Sequence, residues 1–463
     1  MSWGTIATLM LPENLLLAGI VTLIGIEIVL ERPRGAIALA IAIVACVAAT
    51  AAALWLYSTG ASAEPFPGHF SVSPATLLGK AVVVALTIPV LLISRDEFAD
   101  SQFHILLLSS LYGACLLLSS DSFLTLFIGL EIMSMPVYVL VLLAYQRPEC
   151  AEAALKYLVL GGTATAALLM GVSLLYGGSG TLAIAAFSKA LMSTDTMARA
   201  GIVLVIVAFF LKAAVVPFHT WAPDAYEGAS VPVTAYMATI VKAAVLLAAA
   251  RLFAEAPMRG SIVDLVALLP LVSIVWGNLA AMRQQSLRRL IAYSSIAHAG
   301  YLFYAFLGAG PTRFEAVLFY VLAYGVMNLL VFAALPPHAD DTTRDRLDSL
   351  RGLFQRAPFS AVLIAIAMLS LAGIPPLPGF VAKFLIFRNV IAAGHTLYAV
   401  LGLVGSYVGI YFYLRVIQLM FMSEDRPAVA YGRPGTLAVG AALACLATAI
   451  VLGVYPASML GRF

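Results

Sequence analysis

Apolar runs of about 20 residues recur from one end of this chain to the other, and each is long enough to cross a bilayer as a helix. Hydrophobic residues make up 62% of the 463 residues and charged residues only 11%, which excludes a soluble globular protein. We therefore predict an all-α polytopic membrane protein with about 14 transmembrane helices. The spans, numbered in chain order, fall near residues 13–31, 36–57, 75–94, 101–119, 122–145, 150–176, 200–223, 230–254, 261–282, 288–308, 313–335, 357–392, 395–422 and 435–460.

Lysine and arginine are distributed unevenly between the loops on the two sides of these spans. The richer set comprises Arg32, Arg34, Arg95, Arg147, Arg283, Arg288, Arg289, Arg344, Arg346, Arg351, Arg356, Arg426 and Arg433. The opposite set comprises Lys189, Arg199, Arg251, Arg259, Arg313, Arg388 and Arg462. Because loops rich in these residues stay in the cytoplasm, we expect both termini to be periplasmic. The N-terminal MSWGTIATLMLPEN lacks a basic region, so no cleavable signal peptide is expected.

Span 7 contains residues that a membrane helix normally avoids, in the stretch FFLKAAVVPFHTWAPDAYEG from Phe209 to Gly228. Pro217 cannot donate a backbone hydrogen bond, so we predict a kink or opening about one turn upstream, where Lys212 lies. His219 follows Lys212 by seven positions, which places both on one helix face if the helix continues. A lysine at membrane depth costs roughly 2.5–3.5 kcal/mol, so Lys212 requires a compensating partner.

Span 12 is too long for one straight helix, and its middle reads GIPPLPGF, which predicts a break near residues 375–378. A faint internal repeat accompanies this break. LKYLVL at 155–160 resembles LFYVLA at 318–323, and at nearly the same offset Pro217 corresponds to Pro378. The two breaks are five spans apart, an odd number, so equivalent spans have opposite orientations, as in transporters built from inverted repeats.

Five further ionisable side chains are predicted at membrane depth: Glu131 in span 5, Lys156 in span 6, Lys242 in span 8, His298 in span 10 and Lys383 in span 12. Five inserted charges would cost on the order of 10–15 kcal/mol if each remained unpaired. Burial disfavours the charged form of a lysine, whereas a nearby carboxylate favours it, so such a set can exchange protons near neutral pH.

Each of these residues also has an interpretation without proton transfer. Glu131 could form an ion pair with one lysine that only holds two helices together, and His298 could be a core histidine whose ring nitrogens are hydrogen-bonded and have no further role. His219 could cap or hydrogen-bond the opened helix at Pro217, and Lys156 could extend its ammonium group to the membrane interface.

Lysine outnumbers carboxylate in this set, which favours protons as the transported ion. A pathway for Na⁺ or Ca²⁺ needs several oxygen ligands, whereas lysine, histidine and water can pass protons along a chain. We predict no metal, haem, iron–sulfur or disulfide site, because no paired histidines are evident and four cysteines stand alone: Cys46, Cys115, Cys150 and Cys445. The net charge of +3 gives no indication of a nucleic-acid partner.

The run KAAVVPFHTWAPDAYEGASVPVTAYMATIVKAA resembles the signature of the antiporter-like subunits of proton-translocating NADH-quinone oxidoreductase, respiratory complex I. Four other stretches support the resemblance in family order: GLEIMSMPVYVL, EAALKYLVLGG, RRLIAYSSIAHAGY and AGIPPLPGFVAKF. The similarity extends from span 5 to span 12, about two thirds of the chain, and is greatest to the subunit N (subunit 2) type. The residues before 100 and after 423 add only hydrophobic spans.

This resemblance implies two inverted five-helix repeats, spans 4–8 and 9–13. The implied domains are residues 1–100 with spans 1–3, 101–256 with the first repeat, 257–423 with the second, and 424–463 with the last span. It also implies partners: other membrane-arm subunits, among them homologous antiporter-like subunits, and an NADH-oxidising arm that carries flavin and iron–sulfur clusters. The chain itself would hold no cofactor and would lie in a bacterial inner membrane.

The resemblance further implies roles for the buried residues. The pair Glu131–Lys212 would control the proton path, Lys242 would be its centre and Lys383 its terminal lysine. His298 and Lys156 would be bridging or auxiliary positions, and the role of His219 stays open.

Three other functions stay open. A subunit of a multisubunit cation/proton antiporter or of a membrane-bound hydrogenase would use the same core with different partners. A secondary transporter for a small solute would also contain broken inverted repeats, but it needs polar groups or free helix ends around an organic ligand. A purely structural membrane scaffold would tolerate methionine in place of the buried lysines.

Overall fold

The computed structural model describes residues 1–29, 35–98, 100–144, 149–253, 260–308, 312–337, 346–422 and 434–458. Thirteen helices within these ranges are long and apolar enough to cross a membrane. They are Leu11–Val29, Gly35–Ser58, Pro74–Ser94, Ser101–Leu118, Phe123–Leu142, Cys150–Ser179, Thr196–Ala213, Val231–Leu252, Ser261–Ala281, Leu287–Leu307, Thr312–Ala334, Thr396–Phe421 and Thr436–Val454. Two shorter helices, Pro358–Ala372 and Pro378–Ala392, occupy the position of span 12. The predicted all-α membrane fold is confirmed, and most boundaries agree within a few residues.

The predicted orientation depends partly on loops that the structure does not describe. Eight of the arginines in those loops lie outside the described residues: Arg32, Arg34, Arg147, Arg259, Arg344, Arg426, Arg433 and Arg462. The sidedness of the two termini therefore stays a prediction.

Several shorter elements connect the spans. They are the helices Trp3–Leu9, Ala185–Ala190, Trp221–Gly228 and Leu353–Arg356, and the 3₁₀ turns Ala305–Leu307 and Pro456–Ser458. A hairpin of two antiparallel strands, Ala63–Phe66 and Phe70–Val72, joins spans 2 and 3 and was not predicted. Its turn includes Gly68 at φ 72°, a conformation that glycine adopts without steric cost.

Span 7 is interrupted where proline chemistry predicts. Its helix Thr196–Ala213 ends one turn before Pro217, and residues 214–220, here called the first break, are not helical. Ala214 has a left-handed φ of 61°, and the N–H of the next residue donates to the carbonyl of Phe210 at 2.8 Å. This geometry ends the helix in the manner of a left-handed C-cap.

The first break corrects one expectation from the sequence. Lys212 and His219 do not share a helix face, because the helix ends at Ala213 and His219 lies in the break. The indole of Trp221 donates to the carbonyl of Leu211 at 2.9 Å, so it satisfies one of the acceptors that the helix end leaves open.

Span 12 is interrupted between Ala372 and Pro378, and residues 373–377 are here called the second break. Gly373 has φ 90°, which ends the first half, and Pro378 occupies the first position of the second half, where its missing N–H is not needed. The hydroxyl of Ser370 accepts from the N–H of Gly379 at 3.1 Å and bridges the two halves.

Spans 8, 10 and 11 form the centre of the molecule. Nearly all residues of spans 8, 10 and 11 are buried inside the protein, whereas only about a third of the residues of spans 1, 6 and 14 are buried. Span 8 consists of Val231–Tyr236, a π-helical turn Met237–Val241, and Lys242–Leu252. A π turn adds one residue to the helical repeat, and here it directly precedes Lys242.

Candidate functional site

Lys212 and Glu131 form an ion pair across spans 5 and 7. The lysine Nζ lies 3.6 Å from the glutamate Oε1, and the side chains are only 7% and 18% exposed. Glu131 also accepts a 2.5 Å hydrogen bond from the hydroxyl of Thr165. Lys212 donates to Ser134 Oγ at 3.1 Å and to Tyr138 OH at 3.5 Å. Span 7 thus places its ammonium group between one carboxylate and two hydroxyls.

The partners of Lys212 come from one face of span 5. Glu131, Ser134 and Tyr138 are spaced by three and four residues, the spacing that aligns side chains along a helix. A cavity of about 10 Å³ beside Lys212 is lined by residues of spans 5, 6 and 7, including Thr165. This volume is about what one water molecule requires.

Lys242 lies at the centre of the buried series and is only 4% exposed. Its Nζ donates to the backbone carbonyl of Ser295 at 2.8 Å and also to the hydroxyl of the same residue. That hydroxyl lies 3.4 Å from the hydroxyl of Tyr226. Among the described residues, no acidic side chain forms an ion pair with Lys242. Its partners are therefore neutral, and of the two only the Ser295 hydroxyl can both accept and donate a hydrogen bond.

His298 is bound by a hydroxyl on each side of its ring. Its Nδ1 lies 2.7 Å from the hydroxyl of Tyr320, and its Nε2 lies 3.1 Å from that of Tyr413. The same Tyr413 hydroxyl lies 2.5 Å from Ser294 Oγ. Because hydroxyl groups both donate and accept, the arrangement allows a proton to enter at one ring nitrogen and leave at the other.

Lys383 is bound by the carbonyl groups that the second break leaves free. Its Nζ donates to the carbonyls of Leu371 at 3.1 Å and Ala372 at 3.0 Å, and to Ser406 Oγ at 3.0 Å. These carbonyls end the first half of span 12, where the helix dipole is negative and stabilises an ammonium group. The Nζ also lies 5.1 Å from the centroid of the Tyr301 ring, within cation–π range.

A cavity of about 460 Å³ adjoins Lys383 between spans 12 and 13. Its lining is mostly apolar and includes Phe384 and Tyr407, which are 54% and 77% exposed at the side of the molecule. Lys383 is therefore near an opening, whereas Lys242 and His298 are enclosed by protein.

Lys156 lies apart from the buried series. Its side chain is 43% exposed and forms ion pairs with Glu152 at 2.6 Å and Asp224 at 2.7 Å. Arg289 of span 10 also pairs with Asp224, at 2.9 Å. The structure therefore places Lys156 in a half-exposed network of charges, apart from the buried lysines.

His219 contacts span 9 and not the residues around Lys212. Its Nε2 accepts a hydrogen bond from the indole N–H of Trp276 at 3.1 Å. Its Nδ1 is buried and has no hydrogen-bond partner among the described residues. The helix end of span 7 is instead capped by Trp221.

One buried ion pair was missed by the sequence analysis, which treated spans 1 and 3 as purely hydrophobic. Glu13 in span 1 lies 2.5 Å from Lys80 in span 3, and neither side chain has exposed surface. Within the described part of the chain, neither charged group has a further hydrogen-bond partner. The ammonium of Lys80 lies 4.9 Å from the centroid of Phe70 in the hairpin. The sequence signal that could have indicated this ion pair is the single charged residue near the start of each span, Glu13 in span 1 and Lys80 in span 3.

Known proteins of the same architecture cover most of the chain. Residues 120–409 match the profile of the family described as "NADH:quinone oxidoreductase/Mrp antiporter, TM". NADH-quinone oxidoreductase subunit N of Pelobacter propionicus is 40% identical over 90% of this chain and 89% of its own length. The chain belongs to the subunit N family. The family expected from the motifs around Lys212, Lys242 and Lys383 is confirmed.

Solved structures place the subunit N family among related respiratory complexes. A chain of respiratory complex I from Thermus thermophilus is 33% identical, with a TM-score of 0.85 over 96% of this chain and 97% of that chain. A chain of the archaeal membrane-bound sulfane sulfur reductase is 25% identical, with a TM-score of 0.86 over 98% and 96%. The buried pair Glu13–Lys80 precedes the residues that match the family profile.

Proposed function

We propose that this chain is a proton-translocating subunit in the membrane arm of an NADH-quinone oxidoreductase. Protons would move through Lys212, Lys242, His298 and Lys383, driven by electron transfer from NADH to quinone in other subunits. One observation carries this proposal. Within the described residues, three of these four are bound by hydroxyl, carbonyl or ring groups, whereas Lys212 faces a carboxylate, Glu131.

The first step is the separation of the Glu131–Lys212 pair. At 3.6 Å the carboxylate stabilises the protonated lysine, and Ser134 and Tyr138 remain bound to the ammonium. When Glu131 moves away, Lys212 loses the negative charge that favours its protonated form. The proton then moves to a neutral neighbouring group, toward Lys242.

The middle of the path runs along span 10. Ser295 binds Lys242, and the preceding residue, Ser294, binds Tyr413, which in turn binds His298. The partners of Lys242 and of His298 therefore include two consecutive residues of span 10. Because consecutive side chains do not face each other on a helix, the proton would need a further carrier, such as a water molecule, between Ser295 and Ser294.

The last part of the path crosses the second break. A cavity of about 10 Å³ is lined by His298, Tyr320, Ser370, Leu371 and residues of the second half of span 12. It has room for about one water molecule, and Leu371 also contributes a carbonyl to Lys383. Lys383 would be the last titratable group of the path before the proton is released.

The remaining expectations are proposals of the same kind. The chain would lie in a bacterial inner membrane with both termini in the periplasm. Its four domains would be 1–100, 101–256, 257–423 and 424–463, and the two breaks at 214–220 and 373–377 support the two inverted repeats among them. Homologous antiporter-like subunits would flank it, and flavin and iron–sulfur clusters would reside in partner subunits.

The second candidate function uses the same core with other partners. The family profile also covers Mrp antiporters, and the archaeal sulfane sulfur reductase chain shares the fold. The polypeptides that co-purify with this chain separate the candidates. NADH-driven quinone reduction by the purified complex supports the first, and a complex without that activity supports the second.

The deciding experiment replaces Lys212 with methionine in the assembled complex. Lys212→Met removes the titratable group and keeps an apolar stem, so proton pumping should be lost or strongly reduced while the complex still assembles. Pumping is measured as NADH-driven acidification of inverted membrane vesicles. Lys189→Met, at an exposed lysine, is the matched control and should pump normally. Full pumping by an assembled Lys212→Met complex would rule out the proposed path.

A further inference from the structure

One helix contacts the surroundings of both Lys212 and Lys383 without carrying an ionisable group of the series. This helix is span 9, Ser261–Ala281, which packs against spans 10 and 13. Its contacts with the two sites come from Ser273, Trp276 and Asn278, which cover about 7.5 Å along the helix axis.

The first break is attached to span 9 at two points. The N–H of Val216 donates to Ser273 Oγ at 2.6 Å, and Ser273 is fully buried. Three residues later, the indole of Trp276 donates to His219 at 3.1 Å. Ser273 and Trp276 lie on neighbouring turns of one face, so span 9 holds the segment that directly follows Lys212.

The Lys383 site is attached to the same helix by Asn278, which is 3% exposed. Its Nδ2 donates to the hydroxyl of Tyr301 at 3.1 Å and to the carbonyl of Gly405 at 2.9 Å. The Tyr301 ring lies beside the Lys383 ammonium. Gly405 directly precedes Ser406, the hydroxyl partner of Lys383.

Close packing prevents span 9 from moving independently of span 13. A Cβ atom added at Gly405 would lie 2.7 Å from a methyl carbon of Ile274, and one added at Gly409 would lie 2.5 Å from Asn278 Oδ1. Two glycines one turn apart thus let side chains of span 9 pack directly against the backbone of span 13. Interfaces packed this closely transmit a displacement, because they have no free volume to absorb it.

We propose that span 9 couples the first break to the Lys383 site through the protein, in parallel with the proton path in spans 8 and 10. Ser273 and Trp276 are positioning residues at one end and Asn278 is the positioning residue at the other. When the Glu131–Lys212 pair changes, the first break shifts, span 9 moves with it, and Tyr301 and Ser406 change their contacts with Lys383. This coupling rests on the proposed function, since it concerns the same two lysines.

A double-mutant cycle tests the coupling. Ser273→Ala removes the acceptor for Val216, and Asn278→Leu removes both hydrogen bonds to the Lys383 site. We expect each single variant to lower the rate of proton transfer through this chain, measured as NADH-driven proton pumping, by roughly two- to tenfold, the effect of one or two lost hydrogen bonds. The double variant should pump as fast as the slower of the two single variants, because either change alone already breaks the connection through span 9. Effects that multiply in the double variant would overturn the coupling.

Controls separate the coupling from simple packing and from the proposed function itself. Val272→Ala and Leu279→Ala alter exposed neighbours of the two positions and should leave pumping unchanged. If Ser273→Ala reduces assembly, Trp276→Phe takes its place in the cycle, because it removes the hydrogen bond to His219 at a half-exposed position that tolerates the smaller ring. Lys212→Met tests the proposed function alone. If Lys212→Met abolishes pumping while the effects of Ser273→Ala and Asn278→Leu multiply in the double variant, the coupling through span 9 is rejected and the proposed proton path is retained.

Discussion

The ammonium of Lys80 lies 2.5 Å from the carboxylate of Glu13, and this ion pair joins spans 1 and 3 where neither side chain has exposed surface. Taking both charges out of water is costly, and their attraction offsets the cost only while both are present. Span 3 also packs against spans 11 and 14, so the pair connects the N-terminal helices to the rest of the molecule.

We therefore predict that Lys80→Met is more harmful than removal of the whole pair. The single variant leaves a buried charge without its partner, which costs about 3–5 kcal/mol, whereas replacing both partners by apolar groups is often close to neutral. The yield and thermal unfolding temperature of the detergent-solubilised complex should fall in Lys80→Met and recover in the double variant Glu13→Leu/Lys80→Met. A double variant as unstable as the single one would contradict this account.

Tyr413 provides a second prediction, because its hydroxyl connects Ser294 with His298. Tyr413→Phe keeps the ring and removes that connection, so the rate of proton pumping should fall roughly two- to tenfold, as for one lost hydrogen bond. The matched control is Tyr411→Phe, at a position two residues away that is 61% exposed. Equal pumping by the two variants would exclude Tyr413 from the path.

Gly373 permits a test of the Lys383 site without changing the lysine. At φ 90°, an added Cβ would lie 3.1 Å from Cδ and 3.3 Å from Nζ of Lys383. Gly373→Ala should therefore displace the ammonium from its carbonyl partners and reduce pumping. Gly180→Ala is the control, because Gly180 has a similar φ of 68° but open space around it. Both variants carry the backbone cost of about 1–2 kcal/mol, and only Gly373→Ala should affect pumping.

Lys156 should prove less important than the buried lysines, because its charge is half-exposed and shared with two carboxylates. Exposed ion pairs contribute little and are weakened further by salt. We expect Lys156→Gln to pump close to the normal rate, whereas Lys383→Met should not pump. The comparison is made in vesicles at one salt concentration. A Lys156→Gln complex that assembles but does not pump would show that Lys156 is required for proton transfer.

Much of the fold follows from chemistry that is local in sequence. Hydropathy places the spans, and the two breaks follow from prolines that cannot continue a helix. The Glu131–Lys212 pair is not local in sequence, but it could be anticipated because Lys212 needs a counter-charge, Glu131 is an acidic residue deep in a nearby span, and the family resemblance pairs the two. The corresponding distance of 3.6 Å fits that reasoning.

The partners of Lys242 and Lys383 could not be predicted in the same way. They are a serine and backbone carbonyls, which occur in every span and carry no distinguishing signal. Glu13 and Lys80 were overlooked for another reason: each is a single charge near the beginning of a span, where a side chain commonly reaches the interface. Burial by three-dimensional packing, which hydropathy does not encode, decides their environment.

The position of His298 between Tyr320 and Tyr413 limits how protons can follow one another. A neutral imidazole carries one N–H, so a proton that arrives on one nitrogen and leaves from the other converts the ring to its opposite tautomer. A second proton cannot take the same route until the first tautomer is restored. Passage through His298 in the proposed path would therefore be single-file, with a tautomer reset between protons, and the rate of that reset would set an upper limit on proton turnover.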